Sequence, residues 1–135
     1  MEYNILVVED NFIIQMFIEE ILIGIGNTKV RTAGSGKEAL KRLEEEKPDL
    51  IFMDIGIGKG LDGIQVTEIV NEKYRVPVVY LTGNSDISTL ERAKNTNPIH
   101  VIFKPIDEGK LLNEFKVITQ KMVDYYNQFE SRKTL

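Results

Sequence analysis

Four short apolar runs in this 135-residue chain are each followed at once by a polar residue, and the polar residues differ in chemical kind. Glu9-Asp10 follows Ile5 to Val8, Asp54 follows Leu50 to Met53, Thr82 follows Val76 to Leu81, and Lys104-Pro105 follows Val101 to Phe103. In an open α/β sheet, ligands bind where the carboxyl ends of strands meet loops, so these positions converge on one edge if the runs are neighbouring parallel strands. Three carboxylates within a few Å repel one another, and a hard divalent cation with oxygen ligands is the usual relief; Mg²⁺ fits this donor set best. The chemistry that uses such a set is phosphoryl transfer to a carboxylate. A metal would hold one phosphoryl oxygen, Lys104 would neutralise a second, and the Thr82 hydroxyl would hydrogen-bond a third. Asp54 is the candidate nucleophile, because it stands alone at the end of a central run beside glycines that let phosphate and metal approach the backbone.

Each element also has a plainer reading. Asp10 or Asn11 can cap the following helix, Asp54 can be a turn former, Thr82-Gly83-Asn84 can be a loop with Ser85 as its cap, and Lys104 can be a solvated lysine. The conjunction of four signals in chain order favours the chemical reading. Competing motifs fail on inspection. Lys59 in the run Gly56 to Gly60 is followed by glycine rather than Ser or Thr, which removes a nucleotide phosphate loop. A haloacid-dehalogenase-type phosphatase needs a second Asp two residues after Asp54, where Gly56 stands, and a single histidine offers no Ser-His-Asp arrangement.

The elements that must position these residues follow from periodicity. The consecutive apolar runs suit strands covered on both faces, and Lys29 to Ala33, alternating charge with β-branched residues, suits an edge strand. Amphipathic segments fill the gaps: about Asn11 to Ile23, Ser35 to Glu46, Ile64 to Tyr74, Asp86 to Asn95 and Asp107 to Phe129. Ser35 and Glu38 have capping-box spacing. Right-handed crossovers then give a doubly wound, flavodoxin-like α/β fold, a five-stranded parallel sheet with five helices on both faces. Composition sets the class. The length implies one domain, the absence of cysteine removes disulfides and thiol chemistry, and 17 basic against 21 acidic residues leave a net charge of -4, the wrong sign for wrapping nucleic acid. The most apolar stretch, Phe12 to Ile25, is broken by Gln15, Glu19 and Glu20 and is too short to span a bilayer. A cytoplasmic protein is expected, with no direct nucleic-acid or membrane partner.

These residues resemble the response regulator receiver domain of two-component signalling. The resemblance covers about residues 4–120 and rests on V-V-E-D at 7–10, A-G-S-G-K-E-A-L at 33–40, P-D-L-I-F-M-D at 48–54, D-G at 62–63, P-V-V-Y-L-T at 77–82 and K-P at 104–105. It implies sheet order 2-1-3-4-5 and a phosphorelay switch, not a metabolic enzyme. Asp54 would accept a phosphoryl group from a phosphohistidine on a histidine kinase or histidine phosphotransfer domain. Asp10, Asp54 and the Gly56 carbonyl would ligate Mg²⁺ directly, with Glu9 acting mainly through water. Thr82 and Lys104 match the phosphate-sensing pair, and Lys104-Pro105 would be a cis peptide. The domain is expected over residues 1–122, with 123–135 extending the last helix into a polar tail. One position departs from the family: Val101 stands three residues before the lysine, where Tyr or Phe usually makes a rotamer switch. Beside it, His100 is expected to face solvent from an edge strand. The alternative function is a receiver-like interaction module that works without phosphorylation.

Two helices carry more apolar residues than the sheet needs. On the first, Ile14, Phe17, Ile18, Ile21, Leu22 and Ile25 form an inner stripe, which leaves Phe12, Ile13, Met16 and Ile23 off it as a docking patch. On the last, Leu111, Phe115, Ile118, Met122, Tyr125 and Phe129 recur at heptad spacing. Residues through Ile118 are expected in the core, and Tyr125, Tyr126 and Phe129 are expected to project past the sheet into a homodimer contact.

Overall fold

The computed structural model describes residues 2–58, 60–83 and 86–133, with side chains through residue 128. Strands and helices alternate: β1 Tyr3–Val8, α1 Phe12–Ile25, β2 Thr28–Ala33, α2 Gly36–Glu45, β3 Leu50–Asp54, α3 Gly63–Lys73, β4 Val78–Thr82, α4 Ile87–Lys94, β5 His100–Phe103 and α5 Glu108–Lys133. The strands form one parallel sheet in the order β2-β1-β3-β4-β5. Successive residues of β1 alternate between two apolar layers, which is why an unbroken hydrophobic run is fully buried. Leu6 and Val8 pack with Ile51, Met53, Tyr80 and the inner faces of α2, α3 and α4. Ile5 and Val7 pack with Phe52, Leu81, Ile102 and residues of α1 and α5.

Helix ends follow local chemistry. Asn11, not Asp10, caps α1, its side-chain oxygen accepting from the Ile14 amide at 3.1 Å, and Gly26 closes the helix at φ +85°. Ser35 caps α2 as its spacing predicts, with the Glu38 amide donating at 3.1 Å. The reciprocal half of the expected box is shifted: the Glu38 carboxylate accepts from the Gly34 amide at 3.1 Å, one residue earlier. A complete capping box forms instead at α3, between Asp62 and Gln65.

Three expectations about exposure are corrected. On α1, Phe17 and Ile25 are exposed at 40% and 36%, while Gln15 is buried beside Ile18, Ile21 and Leu22. On α5, the core stripe continues through Met122, and Tyr126 folds back so that its hydroxyl donates to the Asp49 carbonyl at 2.6 Å instead of projecting outward. Tyr125 packs edge-on against the Tyr126 ring. Nor does His100 face solvent: its Nε2 meets the Glu114 carboxylate and its Nδ1 accepts from Lys121 at 2.8 Å. Asn84, Ser85 and the side chain of Phe129, which also carried expectations, lie outside the described residues. Among the described residues, no helix is long and apolar enough to cross a membrane.

Candidate functional site

The carboxyl edge of the sheet gathers all six residues singled out by the sequence. Glu9, Asp10, Asp54, Gly56, Thr82 and Lys104 line one cavity of about 410 Å³. β1 delivers Glu9, whose amide continues the strand pairing by donating to the Ala33 carbonyl at 3.0 Å. Asp54 ends β3 and is 5% exposed, and Thr82 ends β4 at 2%. Lys104 follows β5, anchored by its amide to the Thr82 carbonyl at 2.8 Å, and the Lys104-Pro105 bond is cis.

Oxygen atoms of Glu9, Asp10 and Asp54 can all lie within 4.8 Å of one another. The Lys104 ammonium sits between two of them, 3.2 Å from Glu9 and 3.4 Å from Asp54. Asp10 is the solvent-facing member, its carboxylate accepting from the Gly58 amide at 3.1 Å, and Asp54 accepts from the Gly56 amide at 3.2 Å. Glu9 is the strained one. Burial, reinforced by the negative charge of Asp54 and only partly offset by Lys104, pushes its carboxyl up to about 7. Burial acts to lower the Lys104 ammonium, but the charges of Asp54 and Glu9 prevail and hold it above its ordinary value. An all-oxygen donor set with an unrelieved excess of negative charge fits a hard divalent cation.

Gln15 is a supporting residue that periodicity did not reveal. Its side-chain amide donates to the Glu9 carbonyl at 3.0 Å and the Ala33 carbonyl at 3.2 Å, tying the ends of β1 and β2 to α1. The signal available was a lone glutamine in an apolar helix. Val101 is half-buried in the same layer as Tyr80, its partner in register on β4. The aromatic ring at this level therefore comes from β4, and its hydroxyl pairs with Thr96 at 2.6 Å. Beside the acidic cavity lies a larger apolar groove of about 650 Å³, formed by Ile13, Ile14, Phe17 and Ile18 of α1 with Lys104, Pro105 and Ile106.

Residues 5–116 match the response regulator receiver domain. Among curated proteins, the transcriptional regulatory protein PdtaR of Mycobacterium tuberculosis is 33% identical over 109 residues, covering 81% of this chain and 53% of that protein. The probable C4-dicarboxylate response regulator DctR of Bacillus subtilis is 29% identical over 136 residues, covering 99% of this chain and 58% of that protein. The chain thus spans little more than half of either relative. Among solved structures, the N-terminal domain of a response regulator/sensory box/GGDEF protein from Carboxydothermus hydrogenoformans superposes with TM-score 0.81 at 28% identity, covering 93% of this chain and 98% of that one. A CheY-like receiver domain from Methanospirillum hungatei shares the fold with TM-score 0.82 at 22% identity, covering 95% and 99%. By the extent of the matched residues and the order of its strands, the chain belongs to the response regulator receiver domain family of two-component signalling.

Proposed function

We propose that Asp54 accepts a phosphoryl group from the phosphohistidine of a histidine kinase or a histidine phosphotransfer domain. The observation that carries this reading is the Lys104 ammonium lodged between Glu9 and Asp54 in a cavity that also holds Asp10 and Thr82. A carboxylate oxygen of Asp54 forms the new bond to phosphorus as the phosphorus–nitrogen bond of the donor breaks. The electron pair returns to the imidazole, which takes up a proton from water. Lys104 pairs with one phosphoryl oxygen, and the Thr82 hydroxyl donates to another. Asp10, Asp54 and the Gly56 carbonyl would hold Mg²⁺ directly, with Glu9 reached through water. When bound, the ion supplies positive charge to the phosphoryl oxygens. The domain's own chemistry is limited to accepting and losing the phosphoryl group, and the protein acts as a switch.

Partner recognition falls to the exposed apolar residues of α1. Phe12, Ile13 and Met16 are 67%, 78% and 41% exposed, and Ile13 lines the apolar groove that reaches Lys104, so a helix of the phosphodonor can dock there with its histidine over Asp54. The receiver unit takes in residues 1–122, and Tyr126 fastens the start of the 123–135 extension to it. Self-association through α5 uses Val117 and Val123, each about half exposed, because Met122 is in the core.

The test is Mg²⁺-dependent labelling with a small phosphodonor or beryllofluoride, run beside an Asp54→Asn control. Incorporation that needs both Mg²⁺ and Asp54 supports the reading. Equal incorporation in the control refutes it and leaves an interaction module.

A further inference from the structure

We infer that Lys110 is a positioning residue that holds Lys104 in place, by fastening the backbone on both sides of it. This inference rests on the proposed role of Lys104 at the phosphoryl oxygens. Lys110 is the third residue of α5, its amide bonded at 2.7 Å to the Asp107 carboxylate that caps the helix. A cation in the first turn opposes the helix dipole, so helix stability alone does not favour lysine here. Its ammonium instead reaches back across the turn to the Phe103 carbonyl and, at 3.5 Å, to the Pro105 carbonyl.

The first of those carbonyls cannot be paired by the sheet. β5 is an edge strand, and the Lys104 amide points inward to the Thr82 carbonyl at 2.8 Å. The carbonyl of the same trans peptide unit, that of Phe103, must therefore point to the open edge, where no strand can pair with it. Lys110 supplies a protein partner there and also reaches the Pro105 carbonyl, so the residue between is tethered on both flanks. From that fixed point the Lys104 side chain extends to Glu9 and Asp54. A loosened turn would let its ammonium drift from the position of the transferred oxygen, and small misplacements of a charge-stabilising group slow a reaction severely.

The experiment pairs two measurements on the full chain. The first is the ammonium NMR signal of Lys104 in the unphosphorylated protein, assigned with Lys104→Arg. The second is the rate of phosphorylation by a small phosphodonor in a double-mutant cycle of Lys110→Met with Lys104→Ala. Lys110→Met should shift or broaden the Lys104 signal and slow phosphorylation about tenfold. It should slow nothing further in the Lys104→Ala background, and Lys110→Arg, which keeps the donors, should restore most of the rate. An unchanged Lys104 signal, or losses that simply multiply across the cycle, would overturn the inference. If the wild type takes no phosphoryl group on Asp54, the proposed function fails, while the Lys104 signal still decides whether Lys110 positions it.

Discussion

Gly63 packs against the backbone of Asp54 so closely that a β-carbon on it would stand 2.2 Å from the Asp54 carbonyl oxygen. The Gly63 amide meanwhile donates to the Ile55 carbonyl at 3.0 Å, so the start of α3 is locked onto the loop behind the proposed nucleophile. Neither backbone can yield without moving Asp54. Gly63→Ala should cost about 1–3 kcal/mol of stability, as overpacking does, and should lower phosphorylation of the molecules that still fold. Urea unfolding measures the first effect and labelling the second. A variant as stable and as active as the wild type would show that this contact is not a constraint.

Glu9 gives the metal-free protein an unusual pH dependence. Its carboxyl sits at about 7 in the fold against 4.5 for an unperturbed glutamate, so between those values the native state holds a proton that the unfolded chain has lost. The contribution to stability is therefore complete below about 4.5 and disappears as pH rises through about 7, a loss on the order of 3 kcal/mol. Denaturant titrations at pH 5.5 and 8.5 should show about 2 kcal/mol of it, the rest being lost already between about 4.5 and 5.5, and Glu9→Gln should remove most of the difference. A wild type whose stability is flat across that window would contradict the burial argument.

Much of this was legible in the amino-acid order, and the reasons differ by element. Ile5 to Val8 and Leu50 to Met53 announce covered strands because a two-sided sheet demands unbroken apolar runs. Glu9, Asp54, Thr82 and Lys104 announce an edge because each follows such a run directly. What stayed hidden depends on contacts between residues far apart in the chain. Nothing near Tyr126 foretells its bond to the Asp49 carbonyl, 77 positions away, and His100 finds Glu114 and Lys121 only once α5 is laid on β5. In the sequence Gln15 reads only as a break in the apolar stretch Phe12 to Ile25, whereas the fold uses its amide to satisfy two carbonyls at the pocket.

Mg²⁺ binding should depend on Asp10 and strengthen as pH rises through about 7, because protonated Glu9 contributes no negative charge to the pocket. Calorimetry is the direct measurement. Asp10→Ala should abolish the heat of binding while leaving the unfolding midpoint nearly unchanged, since Asp10 is exposed and pairs only with the Gly58 amide among the contacts described. Undiminished affinity in that variant would displace the metal from this pocket.

The exposed face of α1 separates partner docking from chemistry. Ile13 is 78% exposed, so a charge there leaves the core intact, and Ile13→Glu should slow transfer from the cognate kinase about tenfold or more. Labelling by a small phosphodonor should stay within about twofold, because no catalytic contact in the proposed mechanism involves Ile13. Parallel losses in both assays would mean that the substitution perturbs the pocket itself and would remove the docking assignment.

Helix α5 poses the remaining question, because its two halves of apolar residue serve different ends. Met122 is only 3% exposed, so a charge placed there would unfold the domain and could report nothing about association. Val123 is 48% exposed and is the informative position. Tyr126→Phe deletes the bond to the Asp49 carbonyl and should cost about 1 kcal/mol, which measures how firmly the extension is fastened to the sheet. If α5 also pairs two copies, sedimentation of the wild type with beryllofluoride should show a dimer, and Val123→Lys should return it to monomer with an unchanged unfolding midpoint. A wild type that remains monomeric at high concentration, with and without beryllofluoride, would leave Tyr126 as an intramolecular anchor alone.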